Sequence, residues 1–231
     1  MFDLGSAEWT AIALSLRIAA VATAFALPFG ILVGWLLARK QFWGKTLLDG
    51  LVFLPLVLPP VVTGYLLLVS FGRKGPIGAF LNDHLGIVFS FRWTGAALSC
   101  GVMGFPLLVR PIRLALEAID RRLEDAAATL GANRVLVFLT VTLPLALPGL
   151  IAGVVLCFAR ALGEFGATIT FVSNIPGETQ TISAAIYTLL QIPGGEAMAG
   201  RLVLVAVAIA LASLVASEWF ARRAGMRFQG E

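Results

Sequence analysis

Apolar residues in this chain fall in long blocks rather than in one-sided stripes. Five blocks stand out, at 9–38, 47–71, 93–116, 143–172 and 202–221. At about 1.5 Å of helical rise per residue, each is long enough to cross a hydrocarbon core about 30 Å thick. The pattern predicts an all-α, polytopic transmembrane helix bundle of about five spans, and it lacks the alternation that builds a β-barrel. Polar residues collect between the blocks. The stretches 72–92 and 173–201 read as long loops, the second with a short helix predicted over 181–191 between Pro176-Gly177 and Pro193-Gly194. A third polar stretch covers 117–140. With no repeat and no low-complexity linker, residues 9–221 read as one domain between an N-terminal segment, 1–8, and a tail, 222–231.

Composition agrees with a lipid solvent. Hydrophobic residues make up 59% of the 231 residues and charged residues 13%, against about 25% charged in ordinary soluble domains. The net charge of +4 would suggest nucleic acid in a soluble protein. Here the bases flank apolar blocks, so they speak to topology, and no basic groove with stacking aromatics is present. Arg39, Lys40, Lys45, Arg110, Arg113, Arg121, Arg122, Arg134, Arg222, Arg223 and Arg227 fall on one side. Arg73, Lys74, Arg92 and Arg201 fall on the other, with Arg17 snorkelling toward that face from the first block. The richer side is expected to be cytoplasmic, with the N-terminus outside and the C-terminus inside the cytoplasmic (inner) membrane. Residues 1–9 carry Asp3 and Glu8 and no base, so the first block is expected to be retained as a span.

Candidate chemistry is sparse. Cys100 and Cys157 lie inside apolar blocks as small hydrophobes, and His84 stands alone, so no metal site is expected. No P-loop occurs, nor His-Glu-x-x-His, nor Gly-x-Ser-x-Gly. An energy source must therefore come from another subunit or from an ion gradient, and neither enzyme activity nor a cofactor of its own is expected. Pro55, Pro59 and Pro60 each remove a backbone donor within the second block. That break is either a kink packed on neighbours or part of a wetted path that Thr63 and Tyr65 line. Arg160 and Glu164 are four apart in the fourth block, a spacing that places them on one helix face. They form either a structural pair or part of a pathway. Gly149, Gly153, Gly163 and Gly166 suit close helix packing, as across a dimer interface. Segment 121–144 predicts a short helix, a turn at Gly131, and a second amphipathic piece leading to Pro144 at the head of the next span.

That last segment resembles the EAA loop of ABC-importer permeases. Asp125, Ala126 and Ala127 are followed by three residues, Gly131, nine residues, Val141, Thr142, and Leu143-Pro144. The spacing is that of the motif, with Asp and Val where Glu and Ile are commoner; Glu124 beside Asp125 is a second candidate acid. Within this family the chain is similar to the molybdate permeases. The resemblance runs from about Trp9 to Trp219 and is carried by LPLVLPPVVTGY at 54–65, FARALGEFGATITFVSNIPGE at 158–178 and IPGGE at 192–196.

The resemblance implies a type I importer permease fold. It implies a homodimer lining the path, two ATP-binding cassette subunits that carry ATP-Mg and grip Glu124, Asp125, Ala126, Ala127, Gly131, Leu143 and Pro144, and a periplasmic or lipid-anchored molybdate-binding protein outside. Pro59, Pro60, Thr63, Tyr65, Arg160, Glu164, Thr168 and Thr170 are the candidates for the translocation path. A sulfate or tungstate importer is the alternative within the class. An ion-coupled secondary transporter would want midplane acids or inverted repeats, and a membrane-embedded enzyme a cluster of polar catalytic residues; neither pattern is evident.

Overall fold

The first apolar block folds as one long helix, α1 (Ser6–Arg39), which continues through Pro28. The second block breaks. α2 (Lys45–Val57) runs through Pro55 without ending, and the chain then turns by 115° into α3 (Pro60–Phe71). Of the three expected helix breakers, only the Pro59-Pro60 pair acts. Leu58, preceding Pro59, is driven to extended backbone (φ −71°, ψ 143°), and Pro59 is extended too. Pro60 then opens α3, where its missing N–H costs nothing.

The structure is a computed structural model that describes residues 4–228. The first three residues of the segment expected at 1–8 and the last three of the tail expected at 222–231 lie outside the described residues. No strand occurs among those described. The loop expected over 72–92 holds a helix, α4 (Pro76–Leu85), with Pro76 in its first turn and Gly86 in the left-handed conformation at its end. The third block is α5 (Trp93–Ala118).

The polar segment follows as α6 (Arg121–Thr129), a left-handed turn at Gly131, and α7 (Arg134–Val137). A π-helical turn, Phe138–Thr142, and α8 (Leu143–Leu145) lead to a 69° bend at Ala146. The fourth block, expected as one span over 143–172, is thus three helices: α8, α9 (Leu147–Leu162) and, beyond a break at 163–165, α10 (Gly166–Val172). α11 (Ile182–Leu190) is the helix expected in the second loop, and α12 (Glu196–Phe228) closes the chain.

α1, α5 and Glu196–Ala216 of α12 are each long and apolar enough to cross a membrane; the two bent pairs raise the number to five if each is one span. The centre is α1 against α5 against α9, where small residues interleave with large ones such as Ile18, Leu108, Ile112 and Leu116. Ala19, Ala22, Ala96, Cys100, Cys157 and Ala161 are all buried there. Small side chains let helix backbones approach where lipid supplies no hydrophobic drive. Gly149 and Gly153 belong to this core rather than to an interface between copies. A Cβ on Gly153 would lie 2.7 Å from the Leu108 carbonyl oxygen of α5, and one on Gly149 would lie 2.4 Å from the Ala115 methyl.

Candidate functional site

Two regions gather the residues singled out by the sequence. The first is the polar segment at one end of the bundle. Asp120 caps α6 by accepting a hydrogen bond from the Arg122 amide at 3.0 Å. Asn133 caps α7 through the Leu136 amide at 2.9 Å. No residue of α6 is fully buried. Ala126 and Ala128 are exposed, and Leu130 is 90% exposed, with Val135, Leu136 and Leu139 exposed nearby. An apolar set on an otherwise polar surface segment marks a place for a partner.

The two adjacent acids have separate environments. Asp125 is exposed, with no hydrogen bond or ion pair among the described residues. The Glu124 Oε1 accepts from Arg39 Nη2 at 2.9 Å and from the Thr142 hydroxyl at 2.7 Å. Leu143 packs into the α1–α5–α9 core, and Pro144 lies in the first turn of α8. Beside the segment opens a groove of about 680 Å³ lined by Trp35 and Lys40 of the α1 end, with Asp125, Ala128, Arg134 and Phe138. At the same end Arg113 of α5 pairs with Asp49 of α2 at 2.7 Å and with Glu117 at 2.8 Å.

The second region is where the two broken helices meet. α3 packs directly on α10. A Cβ on Gly64 would lie 2.5 Å from the Ala167 carbonyl oxygen, and one on Gly166 would lie 2.8 Å from the Pro60 side chain. The motif blocks around Pro59-Pro60 and Gly163–Gly166 are therefore brought together. Their side chains diverge. Thr63 is buried with its hydroxyl unpartnered among the described residues, while Tyr65, two positions on and so across the helix, is 58% exposed. The Thr168 and Thr170 hydroxyls donate to the carbonyls of Phe165 and Gly166, both at 2.8 Å, so their hydrogens are already committed.

Arg160 and Glu164 do form an ion pair, Nη1 to Oε2 at 2.7 Å, but not on one continuous helix face. α9 ends at Leu162, and Glu164 lies past its Gly163 cap. The other Glu164 oxygen accepts from the Ala167 amide at 2.8 Å, so one carboxylate ties the end of α9 to the start of α10. The Glu164 side chain is 1% exposed and that of Arg160 is 27% exposed, leaving the guanidinium partly open beside the break.

Other polar contacts escaped the sequence because their partners are distant. Arg17 does not simply snorkel: its guanidinium stacks 3.8 Å from the centre of the Trp93 ring. Glu8 and Arg201, at 3.1 Å, join α1 to α12, and the Ser15 hydroxyl takes the Ile182 amide of α11 at 2.7 Å. The only advance signal was their being polar groups at the ends of, or inside, apolar blocks.

A bundle of broken helices with a polar segment between spans is an architecture suited to a membrane-embedded permease. The family model for the binding-protein-dependent transport system inner membrane component matches residues 26–225, and the chain belongs to that family. It is 63% identical to the molybdenum transport system permease protein ModB of Escherichia coli (strain K12), over 93% of this chain and 94% of the relative. In fold it is similar to a chain of a bacterial ABC transporter involved in the import of the acidic polysaccharide alginate (TM-score 0.73, 19% identity, 95% of this chain and 80% of that one). It is likewise similar to a chain of the MetNI methionine ABC transporter in an inward-facing conformation (TM-score 0.69, 18% identity, 93% and 94%). The fold is that of the type I ABC importer permeases.

Proposed function

We propose that this chain is the membrane subunit of an ATP-driven molybdate importer. The observation that carries the reading is the 63% identity, over nearly the whole of both chains, to a permease named for molybdenum transport. Two copies form the path. Two ATP-binding cassette subunits sit on the cytoplasmic side and carry ATP-Mg, while this chain holds no cofactor. A molybdate-binding protein, periplasmic or lipid-anchored, docks outside on the 72–92 and 173–201 stretches. The N-terminus lies outside and the C-terminus in the cytoplasm, an arrangement supported by the distribution of bases.

In this reading the segment 121–144 is the coupling loop. Asp125 and Ala126 are exposed and Ala127 is half-buried, so an ATPase surface can close on this small-residue stretch, and Leu130 supplies apolar contact. Gly131 sets the turn, and Leu143 with Pro144 anchors the loop to α8 and the core. Nucleotide-driven closure of the ATPase pair pulls the two loops together and opens the outer side.

The α3–α10 junction is the part that meets the substrate. A dianion in a low-dielectric region needs compensating charge or donors. Arg160 offers guanidinium hydrogens on its open side while Glu164 holds it in place. Tyr65 offers an exposed hydroxyl from α3, and Thr63 a buried hydroxyl that a small movement of α3 would free. Thr168 and Thr170 shape the α10 start instead of donating. Pro59 and Pro60 keep the α2–α3 break open.

Purification from the native host with its associated subunits tests this reading. The expected result is a co-purifying ATPase whose hydrolysis rises with a molybdate-loaded binding protein. Stimulation by sulfate or tungstate alone would move the chain to another oxyanion, and molybdate uptake by the chain alone on an ion gradient would overturn the reading.

A further inference from the structure

Glu124 sits where three elements meet. It belongs to α6, it pairs with Arg39 at the last residue of α1, and it accepts from Thr142 at the end of the π-helical turn. The same oxygen, Oε1, takes both hydrogen bonds, at 2.9 Å and 2.7 Å. The Arg39 side chain is only 9% exposed, Glu124 is its sole ion-pair partner among the described residues, and its Nε is buried without a partner. A buried guanidinium with one anion cannot give that anion up cheaply, because removing one partner leaves the other charge uncompensated. α6 is thus free on its outer face and tied on its inner face.

We infer that Glu124 is not a docking contact but a latch, which transmits displacement of α6 to the end of α1 and, through Thr142, to the base of α9. This inference rests on the importer reading above and names the residue through which the loop's motion enters the spans. Asp125, the next residue, turns outward to the partner. The π-helical turn and the 69° bend at Ala146 lie directly beyond Thr142. Such turns depart from regular helical hydrogen bonding, and they mark places where a helix can yield. When α6 is pulled, the Arg39 pair moves the α1 end with it. The Thr142 hydrogen bond carries the pull into the π turn, and the bend converts it into rotation of α9 on α5. Two helices of the central trio are thereby driven from one carboxylate. Glu124 is a positioning residue in this scheme: it touches neither nucleotide nor substrate.

The test uses the full complex of permease, ATPase and binding protein in proteoliposomes. The readout is substrate transported per ATP hydrolysed. Glu124→Gln is expected to stay associated with the ATPase subunit while that ratio falls about tenfold. Thr142→Val is expected to lower it by a smaller factor. The charge swap, Arg39→Glu with Glu124→Arg, is expected to restore at least half of the wild-type ratio, which a purely structural role in folding would not link to coupling. An unchanged ratio in Glu124→Gln, or loss of the ATPase subunit from that variant, overturns the latch. If the Glu124→Gln chain does not fold into the membrane at all, Thr142→Val and the charge swap are read on the same ratio, and a wild-type ratio in Thr142→Val together with failure of the swap also overturns it. Absence of ATP-driven transport by the wild-type complex would instead overturn the importer reading.

Discussion

At the level of single residues, one carboxylate and one glycine at the α3–α10 junction decide what the neighbouring backbone can do. Glu164 neutralises Arg160 and caps α10 with the same side chain. Glu164→Ala removes both functions and is expected to destabilise the permease by about 2–4 kcal/mol, the cost of a broken buried pair reduced because Arg160 keeps some exposure. Glu164→Gln keeps an acceptor for the Ala167 amide and should cost less. Thermal unfolding of the detergent-solubilised complex checks the order: a Gln variant as unstable as the Ala variant would show that the cap contributes nothing. Gly64 is the second such position. A Cβ there meets the backbone of Ala167 and not a flexible side chain, so Gly64→Ala must push α3 away from α10. A loss of about 1–3 kcal/mol is expected, seen as a lower unfolding midpoint; an unchanged midpoint would mean that the junction is looser than the structure has it. Neither constraint was visible from sequence: Arg160 and Glu164 read as a pair on one face because hydropathy runs unbroken through 143–172, and nothing local shows that Gly163 ends the helix.

At the level of elements, legibility followed the kind of signal. α1, α5 and α11 came out within a few residues of their expected bounds, because long apolar blocks and paired Pro-Gly punctuation are local and strong. α4 carried start and stop signals, Pro76 and Gly86, yet at ten residues it is too short to register as a span, so the stretch read as loop. The second block shows how neighbours set a proline's effect. Pro55 is carried inside α2, whereas Pro59-Pro60 forces the preceding residue extended and turns the chain by 115°. α6 was legible as a helix from its composition, but not the roles of its two acids, since Arg39 lies 85 residues from Glu124. Their different surroundings give a prediction for the element's outer face. Asp125→Arg should abolish retention of the ATPase subunit on affinity purification while leaving the unfolding midpoint of the isolated permease unchanged, because Asp125 is exposed and makes no hydrogen bond or ion pair among the described residues. Full retention would place the docking contact elsewhere on the loop.

At the level of the whole molecule, the arrangement separates what must hold from what must move. α1, α5 and α9 form a core in which small residues bring the backbones close between large apolar side chains, and interiors packed that tightly pass strain on instead of absorbing it. The chain bends beside this core, by 115° between α2 and α3 and by 69° at Ala146, and Ala146, Phe171 and Val172 are fully buried, so a change of angle there is felt by the core. The segment 121–144 attaches at one end of the bundle and the α3–α10 junction lies at the break in α9–α10, so displacement at the first can reach the second along α9. The central claim is that this chain, driven by a nucleotide-hydrolysing partner, passes molybdate. The most direct measurement is uptake of labelled molybdate into proteoliposomes that hold the complex with ATP enclosed and the loaded binding protein outside. The account predicts accumulation that requires ATP, the ATPase subunit and the binding protein together. Uptake that proceeds without ATP, or a complex that carries sulfate but leaves molybdate outside, would contradict it.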